Sequence, residues 1–260
     1  MNSTPDSEKM VLLLGHGSRH PEGQREFFRL TRLVQKRLGT LTVRAAFLEL
    51  CEPLVAEGIR VCAEAGARTI LAIPVFLSEA RHVKEDLPLE LEQARSDHPQ
   101  ISIQYGNPLG MGPPIQEILA ERAYEAVRRE ALVSMDLLLA GRGSPDAAVI
   151  QELENLGQAL QSRIHCRSIS VSFVDRTHPS VDEGLKACLV GGTRGVLVLP
   201  CLLFPGIVLD RIHHAMTQFK RSHLEIPVVV ARPLGVHARL VDLILTRVHQ
   251  CEQTLPTPGH

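Results

Sequence analysis

The sequence predicts an α/β protein built from two similar modules, each a doubly wound parallel sheet. Short continuous apolar runs alternate with segments whose apolar residues recur at helical spacing, which is typical of buried parallel strands separated by helices. The chain is 44% hydrophobic but only 3% aromatic, so its core is built from aliphatic side chains that suit sheets covered by helices. The second half of the chain also repeats the first, which indicates an internal duplication.

The repeat is clearest around a glycine-rich turn. Residues 12–18 (LLLGHGS) return 126 positions later as residues 138–144 (LLAGRGS). The same shift relates Pro53 to Pro179 and Pro74 to Pro200. We therefore expect two modules, over residues 1–132 and 133–260, each of the usual size of a small domain.

In the first module, strands and helices follow one another along the chain. The run 10–14 is apolar and ends at Gly15, as expected of a buried strand, and a helical periodicity follows it. Pro53 stands at the opening turn of the next helix, a position that tolerates proline. The predicted strands are 10–14, 42–48, 69–76 and 101–105, and the later helices are 53–65, 83–95 and 113–130.

The second module repeats this order. Its predicted strands are 135–140, 168–174, 195–203 and 227–231, with helices between them, a last helix over 237–251 and a frayed tail at 254–260. Right-handed crossovers and the common doubly wound topology favour the strand order 2-1-3-4 in each module. Strand 1 then lies between strands 2 and 3, so the loops that follow these three strands meet at one edge of the sheet.

Composition excludes several classes of function. A net charge of −1 argues against general nucleic-acid binding, which needs a basic surface. The apolar runs are too short to cross a bilayer and residues 1–9 are polar, so we expect a cytoplasmic protein without a membrane partner. The six cysteines form no CxxC pair, and Cys62 and Cys188, which are repeat equivalents, are expected to be reduced core residues.

Three chemically active residues follow neighbouring strands of the first module. His16 follows strand 1, Glu49 follows strand 2 and His82 follows strand 3, so all three are expected at the carboxyl edge of one sheet. Two imidazoles and a carboxylate suit a divalent transition metal, since Fe, Co, Ni and Zn all accept imidazole, and they also suit proton abstraction. The alternatives are loop histidines without function, a phosphate-binding turn at Gly15–Ser18, and a hydrolase that uses Ser18 with His16.

The second copy has lost both histidines, because His16 corresponds to Arg142 and His82 to Val208. The chemistry is therefore expected in the first module. His213 and His214 are expected to be surface residues, because adjacent positions on a helix face apart. A ligand with several carboxylates would need cations, for which the candidates are Arg19, Arg81, Lys84, Arg142 and Arg176.

Several segments of the first module together resemble the sirohydrochlorin chelatases, over nearly the whole chain. They are residues 13–19 (LLGHGSR), 46–50 (AFLEL) with Pro53, 73–77 (IPVFL), 81–83 (RHV) and 86–88 (DLP). The resemblance implies a chelatase-like fold of two halves with a tetrapyrrole cleft between them. It also implies a lyase-type enzyme that inserts Co²⁺ (cobalamin pathway) or Fe²⁺ (sirohaem pathway) into a sirohydrochlorin-type tetrapyrrole, with no nucleotide. Ni²⁺ is a further metal that this donor set accepts.

The same resemblance assigns roles to individual residues. His16 would be a metal ligand and the proton acceptor, and His82 the second metal ligand. Glu49 and the loop residues Leu77, Ser78, Glu79, Ala80 and Arg81 would contact metal or substrate, and Arg142 would contact a substrate carboxylate if the halves face each other. We expect a monomer, and the alternative function is a non-catalytic carrier of metal or tetrapyrrole that uses the same cleft.

Overall fold

The computed structural model describes residues 8–130, 135–175 and 177–253. The expected module boundary at 132/133, the tail 254–260 and Arg176 lie outside the described residues. Within these residues no helix combines the length and the apolar character needed to span a membrane.

The first sheet has four parallel strands in the order β2-β1-β3-β4, which confirms the predicted order. Its elements are β1 (Lys9–Gly15), α1 (Pro21–Leu38), β2 (Thr42–Phe47), α2 (Val55–Glu64), β3 (Thr69–Pro74), a π-helical turn (His82–Asp86), α3 (Leu87–Asp97) and β4 (Ser102–Tyr105). Alternate residues of β1 point to opposite faces. Leu12 and Leu14 pack on one face with Ile59 of α2 and Leu91 of α3, in one fully buried cluster.

The second sheet has the same parallel topology, in the order β6-β5-β7-β8. Its elements are β5 (Asp136–Gly141), α5 (Ala147–Gln161), β6 (Ser168–Phe173), α6 (Val181–Val190), β7 (Val196–Pro200), α7 (Ile207–Ser222) and β8 (Val228–Val230). Leu138 and Ala140 of β5 pack with Leu185 of α6 and Ile212 of α7. The two sheets therefore repeat each other strand for strand, as the internal duplication predicts.

The remaining two helices do not stay with the module that precedes them in sequence. Helix α4 (Pro113–Glu130) contacts β7 and β8, whereas α8 (Ala238–Gln253) contacts β3 and α1. The chain accordingly divides into one compact unit of residues 1–110 and 238–260 and a second of residues 111–237. The boundaries of these units differ from the expected 1–132 and 133–260, because α4, which ends the first half of the sequence, packs on the second sheet and α8 packs on the first.

The predicted start of the helix at 53–65 is wrong. Helix α2 begins at Val55 rather than at Pro53, because the Pro53 carbonyl accepts a hydrogen bond from the Phe47 amide (2.9 Å) and so belongs to the turn that leaves β2. The helix predicted at 83–95 is helical from its predicted start, but its first turn is the π-helical turn, and α3 continues it from Leu87. The predicted core positions of Cys62 and Cys188 are confirmed, since both side chains are buried, and neither forms a disulfide in the described part of the chain.

Candidate functional site

His16 and Glu49 are brought together by backbone hydrogen bonds that continue the β1–β2 ladder beyond both strands. The Leu48 amide donates to the Gly15 carbonyl (2.9 Å), and the Glu49 amide donates to the His16 carbonyl (3.0 Å). Gly17 adopts the left-handed backbone (φ 96°), and a Cβ atom there would overlap the carbonyl oxygen of Glu49. Only glycine fits this position, because the two loops approach so closely.

His82 reaches the same place from the end of β3. The loop after β3 leads to the π-helical turn, and His82 is its first residue. The rings of His16 and His82 meet edge to face, with their centroids 4.7 Å apart and their planes at 84°. The ring of Phe76 lies 6.4 Å from that of His16 and forms an apolar side of the site.

The three side chains form a group of possible metal ligands. One ligand atom each from His16, Glu49 and His82 can be chosen so that all lie within 4.8 Å of one another. His16 Nε2 is 3.5 Å from Glu49 Oε1. Donors on one first-row ion, with bonds of about 2.0–2.2 Å, stand roughly 3–4 Å apart, so small side-chain rotations would bring the three onto one ion. The sequence predicted this meeting of residues from three separate strands.

Solvent reaches each of these three candidate ligands. The side chains of His16, His82 and Glu49 are 23%, 34% and 49% exposed, respectively. A half-buried thiol, that of Cys51, lies beside the His16 turn, and burial raises its pKa. Because the thiolate is the form that binds metal, Cys51 is a poor candidate ligand, and the candidate donor set is two nitrogens and one carboxylate.

The loop residues named from the sequence adjoin the site. Leu77, Ser78 and Ala80 are half-buried and Glu79 is exposed, between β3 and the π-helical turn. Arg81 is 76% exposed, and its Nε lies 3.3 Å from Glu85 and 3.6 Å from Asp86. Arg142 is exposed at the end of β5, in the second compact unit.

Two contacts of the described residues were not predicted. Asp86 Oδ2 lies 2.7 Å from His82 Nδ1, and Arg211 forms an ion pair with Asp175, the repeat equivalent of Glu49. The first contact has a sequence signal, because His82 and Asp86 are four residues apart in a helical segment. The second pairs residues 36 positions apart and has no local signal. His213 and His214 are exposed, as predicted.

Comparison with known proteins gives consistent matches. The CbiX family model matches the chain twice, over residues 10–126 and 136–251. The sirohydrochlorin ferrochelatase of Priestia megaterium is 32% identical over 96% of this chain and 92% of its own length. The sirohydrochlorin cobaltochelatase of the same organism is 31% identical over 93% of this chain and 79% of its own.

A solved structure matches over both halves. It is that of a sirohydrochlorin chelatase from Bacillus subtilis subspecies spizizenii in complex with cobalt. The two chains are 26% identical, with a TM-score of 0.77, and the match covers 95% of this chain and 97% of the other. The doubly wound, duplicated fold predicted from the sequence is thus found in a chelatase.

Proposed function

The chain belongs to the CbiX family, and from that premise we propose that it is a sirohydrochlorin chelatase, which inserts Co²⁺ or Fe²⁺ into the tetrapyrrole without a nucleotide. The observation that carries the proposal is the group of His16, Glu49 and His82 at the carboxyl edge of the first sheet. The metal is a substrate here, held briefly before transfer. Two imidazoles and a carboxylate suit such a role, because they accept several first-row ions.

The reaction needs a metal that sheds its water and two pyrrole N–H groups that lose their protons. His82 would hold the metal. His16 would hold it too, and would accept one of the two protons as the macrocycle takes the ion, while the other would pass to solvent, which reaches the site. The Glu49 carboxylate, 3.5 Å from His16 Nε2, can stabilise the imidazolium that results or contact the metal. A general base of this kind contributes about 10²–10⁴-fold to a rate.

The substrate contacts are also part of the proposal. We assign the tetrapyrrole to the loop from Leu77 to Arg81, next to His82, with Arg142 as a contact for a carboxylate. Arg81 is well exposed, so its guanidinium can bind an anion while its Nε stays near Glu85. We also propose that the protein is a monomer that acts in the cytoplasm, without nucleic-acid or membrane partners.

The test is turnover. Purified protein is mixed with a tenfold excess of sirohydrochlorin and of Co²⁺ or Fe²⁺ without oxygen, and the absorbance of the metallated product is followed against a protein-free mixture. We expect many equivalents of product per chain, and the ratio of the two rates identifies the preferred metal. Conversion of one equivalent, at the rate of the protein-free mixture, would contradict the proposal and favour the carrier function.

A further inference from the structure

The segment that carries His82 is one residue longer than its counterpart in the second half. Pro74 and Pro200, at the ends of β3 and β7, are 126 residues apart, but Pro108 and Pro233, after β4 and β8, are 125 apart. Two equivalent backbone hydrogen bonds join a residue before the change of shift to a residue after it. The Leu109 amide donates to the Phe76 carbonyl and the Leu234 amide to the Leu202 carbonyl, each at 3.0 Å. The extra residue therefore lies between Phe76 and Leu109.

Buried side chains locate the extra residue inside the π-helical turn. Val83 and Leu209 are buried at the start of each helical segment, and Leu87 and Ile212 are the next buried positions. Three residues lie between Val83 and Leu87, whereas only two lie between Leu209 and Ile212. The hydrogen bonds show the wider turn. The Leu87 amide donates to the His82 carbonyl, five residues back, whereas in α7 the Asp210 amide donates to the Gly206 carbonyl, four residues back.

Two further side chains support the wider turn. Pro88 has no amide hydrogen, so it cannot donate to the carbonyl groups of the turn. The Tyr105 hydroxyl donates instead to the Val83 carbonyl, at 2.9 Å. In the second half, the positions equivalent to Pro88 and Tyr105 are His213 and Val230, and α7 is a regular helix.

The wide turn places Asp86 against the ring of His82. Asp86 Oδ2 lies 2.7 Å from His82 Nδ1, and its other oxygen lies 3.6 Å from Arg81 Nε. An ionised carboxylate can only accept hydrogen bonds, so Nδ1 carries the proton. The lone pair of the neutral ring is then on Nε2, the nitrogen on the opposite side of the ring from Asp86.

We propose that Asp86 is a positioning residue, which fixes His82 in the Nδ1–H tautomer and directs Nε2 to the metal. This inference rests on the proposed function and extends it to a residue that acts through the ligand. The repeat supports it, because the histidine, its carboxylate partner and the wide turn are all absent from the described second half. There Val208 stands in place of His82, Arg211 precedes Ile212 as Asp86 precedes Leu87, and the helix is regular. Carboxylates that accept a hydrogen bond from the far nitrogen of a metal-binding histidine commonly orient its ring.

The first test reads the tautomer directly in the metal-free protein. Long-range ¹⁵N–¹H correlation spectra at about pH 8.5, where ordinary histidines are neutral, assign His82 by its absence from the spectrum of His82→Gln. We expect the Nδ1–H tautomer in the unaltered chain. Asp86→Ala should lose that preference, and Asp86→Asn should keep it, since its amide oxygen also accepts. An Nε2–H tautomer in the unaltered chain would overturn the proposal, whatever the variants do.

The second test is metal binding and turnover in the same proteins. Asp86→Ala should weaken Co²⁺ binding, measured by calorimetry, by about 10–100-fold and raise the KM for Co²⁺, with the KM for tetrapyrrole unchanged. Asp86→Asn should recover most of the loss. Glu90→Gln, which removes an exposed carboxylate of α3, is the matched control and should bind as the parent does. Parental Co²⁺ affinity in folded Asp86→Ala would contradict the proposal, whereas an unaltered chain without turnover would contradict only the proposed function.

Discussion

The two halves of the chain form the same turn around different side chains. Gly17 and Gly143 have nearly equal φ angles, 96° and 93°. The Glu49 amide donates to the His16 carbonyl at 3.0 Å, and the Asp175 amide donates to the Arg142 carbonyl at 2.8 Å. The backbone that brings His16 and Glu49 together is therefore intact in the second half, so at this turn the two halves differ in their side chains.

Charge compensation differs between the two turns. In the first half the carboxylate of Glu49 faces the imidazole of His16, and a bound metal can neutralise it. In the second half Asp175 pairs with the guanidinium of Arg211, and Val208 replaces the second histidine. A metal ion leaves with the product, but Arg211 is part of the chain, so the negative charge of Asp175 stays compensated. This contrast leads us to propose one metal site per chain, in the first half.

The largest effect is expected from removing the histidine of the first turn. His16→Ala loses a metal ligand and the proton acceptor together, so turnover should fall by about 10²–10⁴-fold or more. The fold should persist, because His16 lies in a loop and is not part of the core. Turnover and far-ultraviolet circular dichroism are measured together. Arg142→Ala, the equivalent change in the second half, should raise the KM for tetrapyrrole about tenfold with kcat nearly unchanged.

An equal loss of kcat in His16→Ala and Arg142→Ala would contradict the proposed difference between the two halves. An unfolded spectrum for His16→Ala would show instead that His16 is structural.

A smaller effect is expected from the two glycines. An alanine at either Gly17 or Gly143 would adopt positive φ and overlap the carbonyl oxygen of Glu49 or Asp175, so each variant should lose at least about 1–3 kcal/mol of stability. Urea unfolding measures this loss. Only Gly17→Ala should also weaken Co²⁺ binding, because only its turn positions metal ligands. Equal loss of metal affinity in Gly143→Ala would show that the second turn takes part in the site.

Much of the fold could be predicted from the sequence. Apolar runs and the repeated order of elements located the eight strands of the described residues. The crossover rule predicted their order, which follows from chain handedness. The exchange of α4 and α8 could not be predicted. Each helix has an apolar face that suits either sheet, so the choice depends on packing between segments distant in sequence.

The meeting of the three candidate ligands was also predictable from the sequence. The positions of His16, Glu49 and His82 after neighbouring strands predicted that they meet. A single shift of 126 residues, however, concealed the extra residue before Leu87 and with it the wide turn that places Asp86. The change of shift is present in the sequence at Pro108 and Pro233. Its structural meaning needs the hydrogen bonds, because a longer loop would give the same count.

The number of metal ions bound per chain tests the central claim most directly. Calorimetric titration with Co²⁺ should give one ion for the unaltered chain and none for the variant with both His16→Ala and His82→Ala. In that variant, Arg142→His and Val208→His should restore weak binding only when Arg211→Ala also releases Asp175, because the turn itself is intact. A second ion bound by the unaltered chain in its second half, and lost when His213 or His214 is replaced, would contradict the claim.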